Sequence, residues 1–240
     1  MILGTNTSVA QGDADNFYKS NSVNTEKVSF SNQYKMKVGA RLFLPKELEE
    51  GRKYPAVIVG HPMGAVKEQS AGLYATKLAE CGFVTLALDL SFWGESDGEP
   101  RNAVLPDVYS EDFSAAVDFI GLLPNVNRER IGVMAICGLS GMALTAAGSD
   151  SRIKAVATST MYDITRVVAK GYNDSVDADA RYKMKQEINN KRWDGSKNGY
   201  ADLQPANNLR SNQFTADTPL FVKEYSDFYT TKRGFHPRAA

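Results

Sequence analysis

Cys137 stands in the stretch Ile131-Gly132-Val133-Met134-Ala135-Ile136-Cys137-Gly138-Leu139-Ser140-Gly141-Met142-Ala143, where an apolar run passes through small residues into helix-compatible sequence. A thiol at such a junction can attack a carbonyl carbon. A sharp strand-to-helix turn exposes the reactive atom and aims the next backbone N–H, that of Gly138, at the developing oxyanion. Ala135 and Gly138 supply the low bulk this turn needs, whereas Leu139 does not. Ser140, inside Gly138-Leu139-Ser140-Gly141-Met142, is the rival nucleophile, although a hydroxyl in the first turn of a helix also caps backbone N–H groups. Cys137 equally reads as a small buried hydrophobe, and for Cys81 that is the preferred reading.

A nucleophile of this kind needs a base, usually histidine, with a carboxylate to orient it. The chain holds two histidines, His61 and His236. Asp163 precedes the apolar helical stretch that begins at Ile164, so its type and position also fit a helix N-cap. The two cysteines lie in segments of different character with no metal-ligand spacing, so neither a disulfide framework nor a metal site is expected.

The elements around these residues alternate. Val28 to Phe30 and Met36 to Leu44 read as a hairpin at a sheet edge. Pro55 to Gly60 and Phe83 to Leu88 read as strands buried on both faces, with a helix over Lys67 to Cys81 between them. A helix from about Asp107 to Leu123, a strand over Ile131 to Ile136, a helix after Ser140 and a strand over Ile153 to Thr158 continue the cycle. Such alternation predicts a mostly parallel, doubly wound α/β sheet with functional loops at the carboxyl ends of its strands.

Taken in order, the strand, the His61-Pro62-Met63-Gly64 loop, the helix, the strand, the Gly94-Glu95-Ser96-Asp97-Gly98 turn, the helix and the Cys137 elbow resemble the α/β-hydrolase superfamily. Within it they are most similar to the dienelactone-hydrolase-like branch, whose elbow carries Cys where most members carry Ser. The resemblance covers roughly Met36 to Tyr162 and departs from Gly-x-Ser-x-Gly at Ala135 and Leu139. It implies that the N–H of Met63 joins that of Gly138 in an oxyanion hole and that His61 shapes its loop. Ser96 follows a polar loop and has no helix start after it, so it does not read as a nucleophile although its turn fits the pattern. Family order places acid and then histidine after the nucleophile, which leaves His236, with Asp227 or the relocated Asp163 as the acid. The eight residues between Asp227 and His236 cannot hold the helix and strand that separate acid from base in the family. His236 is therefore a weak candidate base, and Asp163 a weak candidate acid.

Three regions are expected: a polar lead over residues 1–25, an α/β-hydrolase core over 26–162, and a helical cap or lid over 163–240. On this reading the last strands of the fold are missing, which would bare a sheet edge and favour a homo-oligomer. With 28 basic against 28 acidic residues, no basic cluster and no apolar run of roughly 18 residues, neither nucleic acid nor membrane is an expected partner. The first ten residues do not form an intact secretory signal, so a cytoplasmic protein or a mature exported form is expected. The expected function is hydrolysis of carboxylic esters or lactones without a cofactor; the alternative is a non-catalytic binding module of the same fold or an inactive truncated product.

Overall fold

The computed structural model describes residues 17–161, 163–201 and 211–240. Six strands form one sheet: β1 (Val23–Ser31), β2 (Lys37–Pro45), β3 (Tyr54–Gly60), β4 (Val84–Leu88), β5 (Val126–Ile136) and β6 (Ile153–Ser159). Their order is β1-β2-β4-β3-β5-β6. β1, β2 and β4 pair antiparallel, while β4, β3, β5 and β6 pair parallel. The mostly parallel sheet predicted from the alternation is present. Most of the expected lead lies outside the described residues, and β1 already begins at Val23, inside that stretch.

The period-2 alternation of the central strands divides the core between two sheet faces. Ala56 and Ile58 of β3, Leu86 and Leu88 of β4, and Ile131, Val133 and Ala135 of β5 share one cluster with Phe113 and Ile120 of α2 (Pro106–Gly121) and Met142 and Ala143 of α3 (Ser140–Ser149). Val59 and Ala87 meet Ala71, Ala75 and Ala79 of α1 (Ser70–Glu80) across the other face. Each large aliphatic side chain buried this way contributes about 1.5–3 kcal/mol relative to exposure. The small alanines let α1 lie close to the sheet.

Gly60 closes β3 because a Cβ there would stand 2.6 Å from the Phe113 ring. Phe92 and Trp93, in the loop after β4, belong to the core: Trp93 is 1% exposed and its indole N–H donates to the Tyr109 hydroxyl at 2.6 Å.

Beyond β6 the chain is helical, with α4 (Ile164–Lys170), α5 (Ala178–Lys197) and α6 (Leu220–Thr230). α4 and α5 bury none of their residues, whereas α6 buries Ser226 and Tyr229. Among the described residues no helix is long and apolar enough to cross a membrane.

Candidate active site

β3 and β5 are parallel neighbours paired Gly60 to Ala135, so the residues that follow the two strands emerge side by side. One continuation is His61-Pro62-Met63 and the other is Ile136-Cys137-Gly138. At the second, the backbone leaves the extended conformation of Ile136 (φ −117°) and swings Cys137 to φ +61° before α3 starts. A non-glycine residue in the left-handed region costs of order 1–3 kcal/mol and persists where its surroundings enforce it. That is the backbone signature of an elbow.

The two departures from the glycine pattern have local explanations. Ala135 faces Gly60, which carries no side chain, so its methyl fits between strands. Leu139 turns away from the elbow's mouth and is fully buried in the cluster that contains Met142 and Ala143. A bulky residue is tolerated because the core takes it.

Cys137 lines a cavity of about 610 Å³ at the carboxyl ends of the strands. Pro62 and Met63 form one wall, Ser159 at the end of β6 and Thr160 after it another, and Phe221, Val222, Tyr225 and Tyr229 of α6 cover them. Tyr225 donates its hydroxyl to the Met63 carbonyl. Ser70 Oγ and Tyr229 Oη lie 3.1 Å apart, and Tyr74 Oη and Ser159 Oγ 2.9 Å apart, so hydroxyl pairs bridge adjacent walls. Burial pushes the Tyr229 phenol up to about 12, the neighbouring Cys137 acting in the same direction against the Ser70 hydrogen bond.

The structure does not bring the remaining candidates to this cavity. Ser140 is fully buried and its hydroxyl donates to the Ala135 carbonyl at 3.0 Å, tying α3 back to β5. Asp163 caps α4, its Oδ1 accepting from the Arg166 N–H at 2.9 Å and the Thr165 hydroxyl at 2.6 Å; those bonds hold its carboxyl below the ordinary range. His61 is buried with Nδ1 2.8 Å from the Pro62 carbonyl, and its Nε2 accepts from the Leu90 N–H at 3.3 Å. Burial holds that imidazole low, and both ring nitrogens are engaged in the loop. The geometry gives it the loop-shaping role.

His236 lines a different cavity, about 660 Å³, together with Lys67, Glu68, Phe228 and Arg238. Its Nε2 lies 3.9 Å from Glu68 Oε2, and burial lowers its pKa. Lys67 is the hub there, 1% exposed, with its ammonium 2.6 Å from Asp89, 2.9 Å from Glu68 and 3.0 Å from Glu95. Burial alone would lower that ammonium's pKa, but the Asp89 and Glu68 charges outweigh it and hold it above its ordinary value. Gly94 permits this closeness, because a Cβ at its position would stand 2.2 Å from the Asp89 carboxylate. The serine of the same turn, Ser96, donates to the Asp89 carbonyl at 2.7 Å and accepts from the Gly39 N–H at 2.8 Å. The turn is thus structural, as its sequence context indicates.

Sequence reasoning missed the α6 wall and the Ser70–Tyr229 and Tyr74–Ser159 pairs. Phe221, Tyr225 and Tyr229 recur at four-residue spacing, which is a helix-face signal. Nothing local marks Ser70 or Ser159. Among the described residues no group of three His, Cys, Asp or Glu side chains is placed to hold a metal ion.

The model of the dienelactone hydrolase family matches residues 38–166, from β2 through the elbow to α4. The chain belongs to the dienelactone hydrolase family, within the α/β-hydrolase superfamily. The uncharacterized protein PA2218 of Pseudomonas aeruginosa is 52% identical over 217 residues, which cover 90% of this chain and 57% of that protein. Its crystal structure matches with TM-score 0.85 at 51% identity, over 94% of this chain and 69% of that one. The uncharacterized protein YcjY of Escherichia coli is 37% identical over 216 residues, 89% of this chain and 69% of that protein. Acetyl xylan esterase 1 from Thermoanaerobacterium shares the fold, with TM-score 0.54 at 16% identity over 72% of this chain and 58% of that one. This chain thus spans little more than half the length of its Pseudomonas relative.

Proposed function

We propose that the chain carries the nucleophilic half of a hydrolase acting on carboxylic ester or lactone bonds of small molecules, with Cys137 as the nucleophile. The observation that carries this reading is Cys137 at φ +61° between β5 and α3, facing a cavity shared with the loop after β3. In the first step Sγ forms a bond to the substrate's carbonyl carbon, and the N–H groups of Met63 and Gly138 receive the oxyanion. The tetrahedral adduct then breaks its carbon–oxygen bond, the alkoxide takes up the proton the thiol gave up and becomes the alcohol, and a thioester to Cys137 remains. Water cleaves that thioester, releasing the acid and restoring the thiol.

A second reading is a non-catalytic binding module. It is favoured by the absence, among the described residues, of any histidine or carboxylate lining the Cys137 cavity. Time-resolved release of p-nitrophenolate from p-nitrophenyl acetate, compared with Cys137→Ala, separates the two. A stoichiometric burst confined to the wild-type chain supports the nucleophile. Equal release from both chains leaves the binding module.

A further inference from the structure

We infer that the acyl pocket built around Cys137 is selective for uncharged acyl groups of apolar character and rejects acyl groups that carry a carboxylate. The inference rests on the Cys137 reading above and names the substrate class of that same site.

No described residue lining the cavity is Asp, Glu, His, Lys or Arg. The roof from α6 is aromatic and aliphatic, with Phe221, Val222, Tyr225 and Tyr229. Apart from the Cys137 thiol, the polar side chains of the cavity carry hydroxyls, several of them paired, Ser70 with Tyr229, Tyr74 with Ser159 and Tyr225 with the Met63 carbonyl. They can accept or donate one hydrogen bond at a time, but they do not neutralise an anion.

Three cations on neighbouring elements are committed elsewhere. Lys67 stands among Asp89, Glu68 and Glu95 on the far side of the first turn of α1. Arg238 binds Glu68 at 3.0 Å and Glu95 at 2.9 Å, and Arg233 binds Asp227 at 2.6 Å. A carboxylate entering beside Cys137 would lose hydration and find no ionic partner among the described residues that line the cavity. Desolvating an unpaired carboxylate is among the most unfavourable events in a protein interior. An alkyl or aryl acyl chain of similar length meets the α6 roof at no such cost.

Two matched probe pairs test this on the chain as it stands. Acylation of Cys137 by p-nitrophenyl butyrate and by the p-nitrophenyl monoester of succinate, followed by intact mass, should favour the butyryl ester about a hundredfold or more. Val222→Arg, which places a cation in the roof, should narrow that preference at least about tenfold. The second pair needs no chemistry: butyrophenone and 4-oxo-4-phenylbutyrate differ only in a terminal methyl against a carboxylate. Their equilibrium binding to Cys137→Ala, read by calorimetry, should favour the ketone at least about tenfold. Binding or acylation that is equal for the two members, or stronger for the anion, overturns the inference. A binding preference for butyrophenone without acylation by either ester would overturn the nucleophile and leave the charge selectivity standing.

Discussion

Two cavities of similar size, about 610 and 660 Å³, flank the first turn of α1, and they are built on opposite principles. The one that holds Cys137 has no charged residue among its described lining, where the polar side chains are hydroxyls and the Cys137 thiol. The other gathers Lys67, Glu68, His236 and Arg238 around a buried ammonium. Ser70 touches both, so the two environments are separated by little more than one helical turn. The difference teaches where this chain spends its charges. They fasten the β3 and β4 loops and the C-terminal segment to one another, through Asp89, Glu95 and Arg238, while the Cys137 side stays neutral. Changes on the neutral side should therefore move chemistry, and changes on the charged side should move stability.

The largest effect expected on the neutral side is that of Cys137→Ala. It should abolish the p-nitrophenolate burst while leaving the thermal midpoint nearly unchanged, as checked by stopped-flow absorbance and calorimetry. On the charged side, Lys67→Met removes the cation from three carboxylates, one of them fully buried. Breaking a buried network of this type costs about 3–5 kcal/mol, which for a chain of this size lowers the thermal midpoint by roughly 10 °C. A midpoint unchanged by Lys67→Met would break the comparison.

Asp112 is a third buried charge, apart from both cavities, that accepts from the Ser91 N–H at 2.7 Å and from Asn32 at 2.8 Å. Burial nevertheless pushes its carboxyl from 3.8 up to about 6. The folded chain therefore takes up this proton before the unfolded chain does, and Asp112's contribution to stability rises as pH falls through about 6 towards 3.8. Between pH 7 and pH 5 that gain is about 1 kcal/mol. It should be missing from the denaturant midpoints of Asp112→Asn. Glu95 has the opposite sign: burial acts against ionisation, but hydrogen bonds from Lys27 and Lys67 hold it at about 2. Its contribution is present above 4.5 and is lost as pH falls from 4.5 towards 2.

The smallest effect is expected from His236→Ala. Because His236 faces Glu68 in the charged cavity, acylation by p-nitrophenyl esters should change less than about twofold, far below the typical contribution of a general base. Burial depresses the folded-state pKa of His236, so the unfolded chain takes up its proton first as pH drops through 6.5. That small loss of stability should disappear in the variant. A large fall in acylation rate in His236→Ala would move the base to the charged side and undo the separation.

Much of this plan was legible in the sequence because its signals are local. The β-branched runs before His61 and Asp89 and the small residues around Cys137 each mark a strand end or a turn by their own composition. The positive φ of Cys137 follows from that strand-to-helix passage. What stayed hidden depends on pairings across the chain. Lys67 meets Asp89 and Glu95 across 22 and 28 positions, and Tyr229 meets Ser70 across 159. The Pro219-Leu220-Phe221-Val222 stretch carries β-compatible residues, yet it folds as the start of α6, which packs onto the Cys137 cavity. Leu139 looked like an obstacle to the elbow because its burial between α3 and the sheet is a tertiary fact.

The central claim, that Cys137 is a placed nucleophile rather than an ordinary thiol, is tested most directly by mapping where an ester acylates the chain. Cys81, expected as a small buried hydrophobe, is instead exposed at the C-cap of α1 and so is an internal control for unassisted thiol reactivity. After brief exposure to substoichiometric p-nitrophenyl butyrate, peptide mass mapping should find the butyryl group on Cys137 and leave Cys81 unmodified. Acylation of Cys81 in preference to Cys137, or of Ser140, would contradict the account.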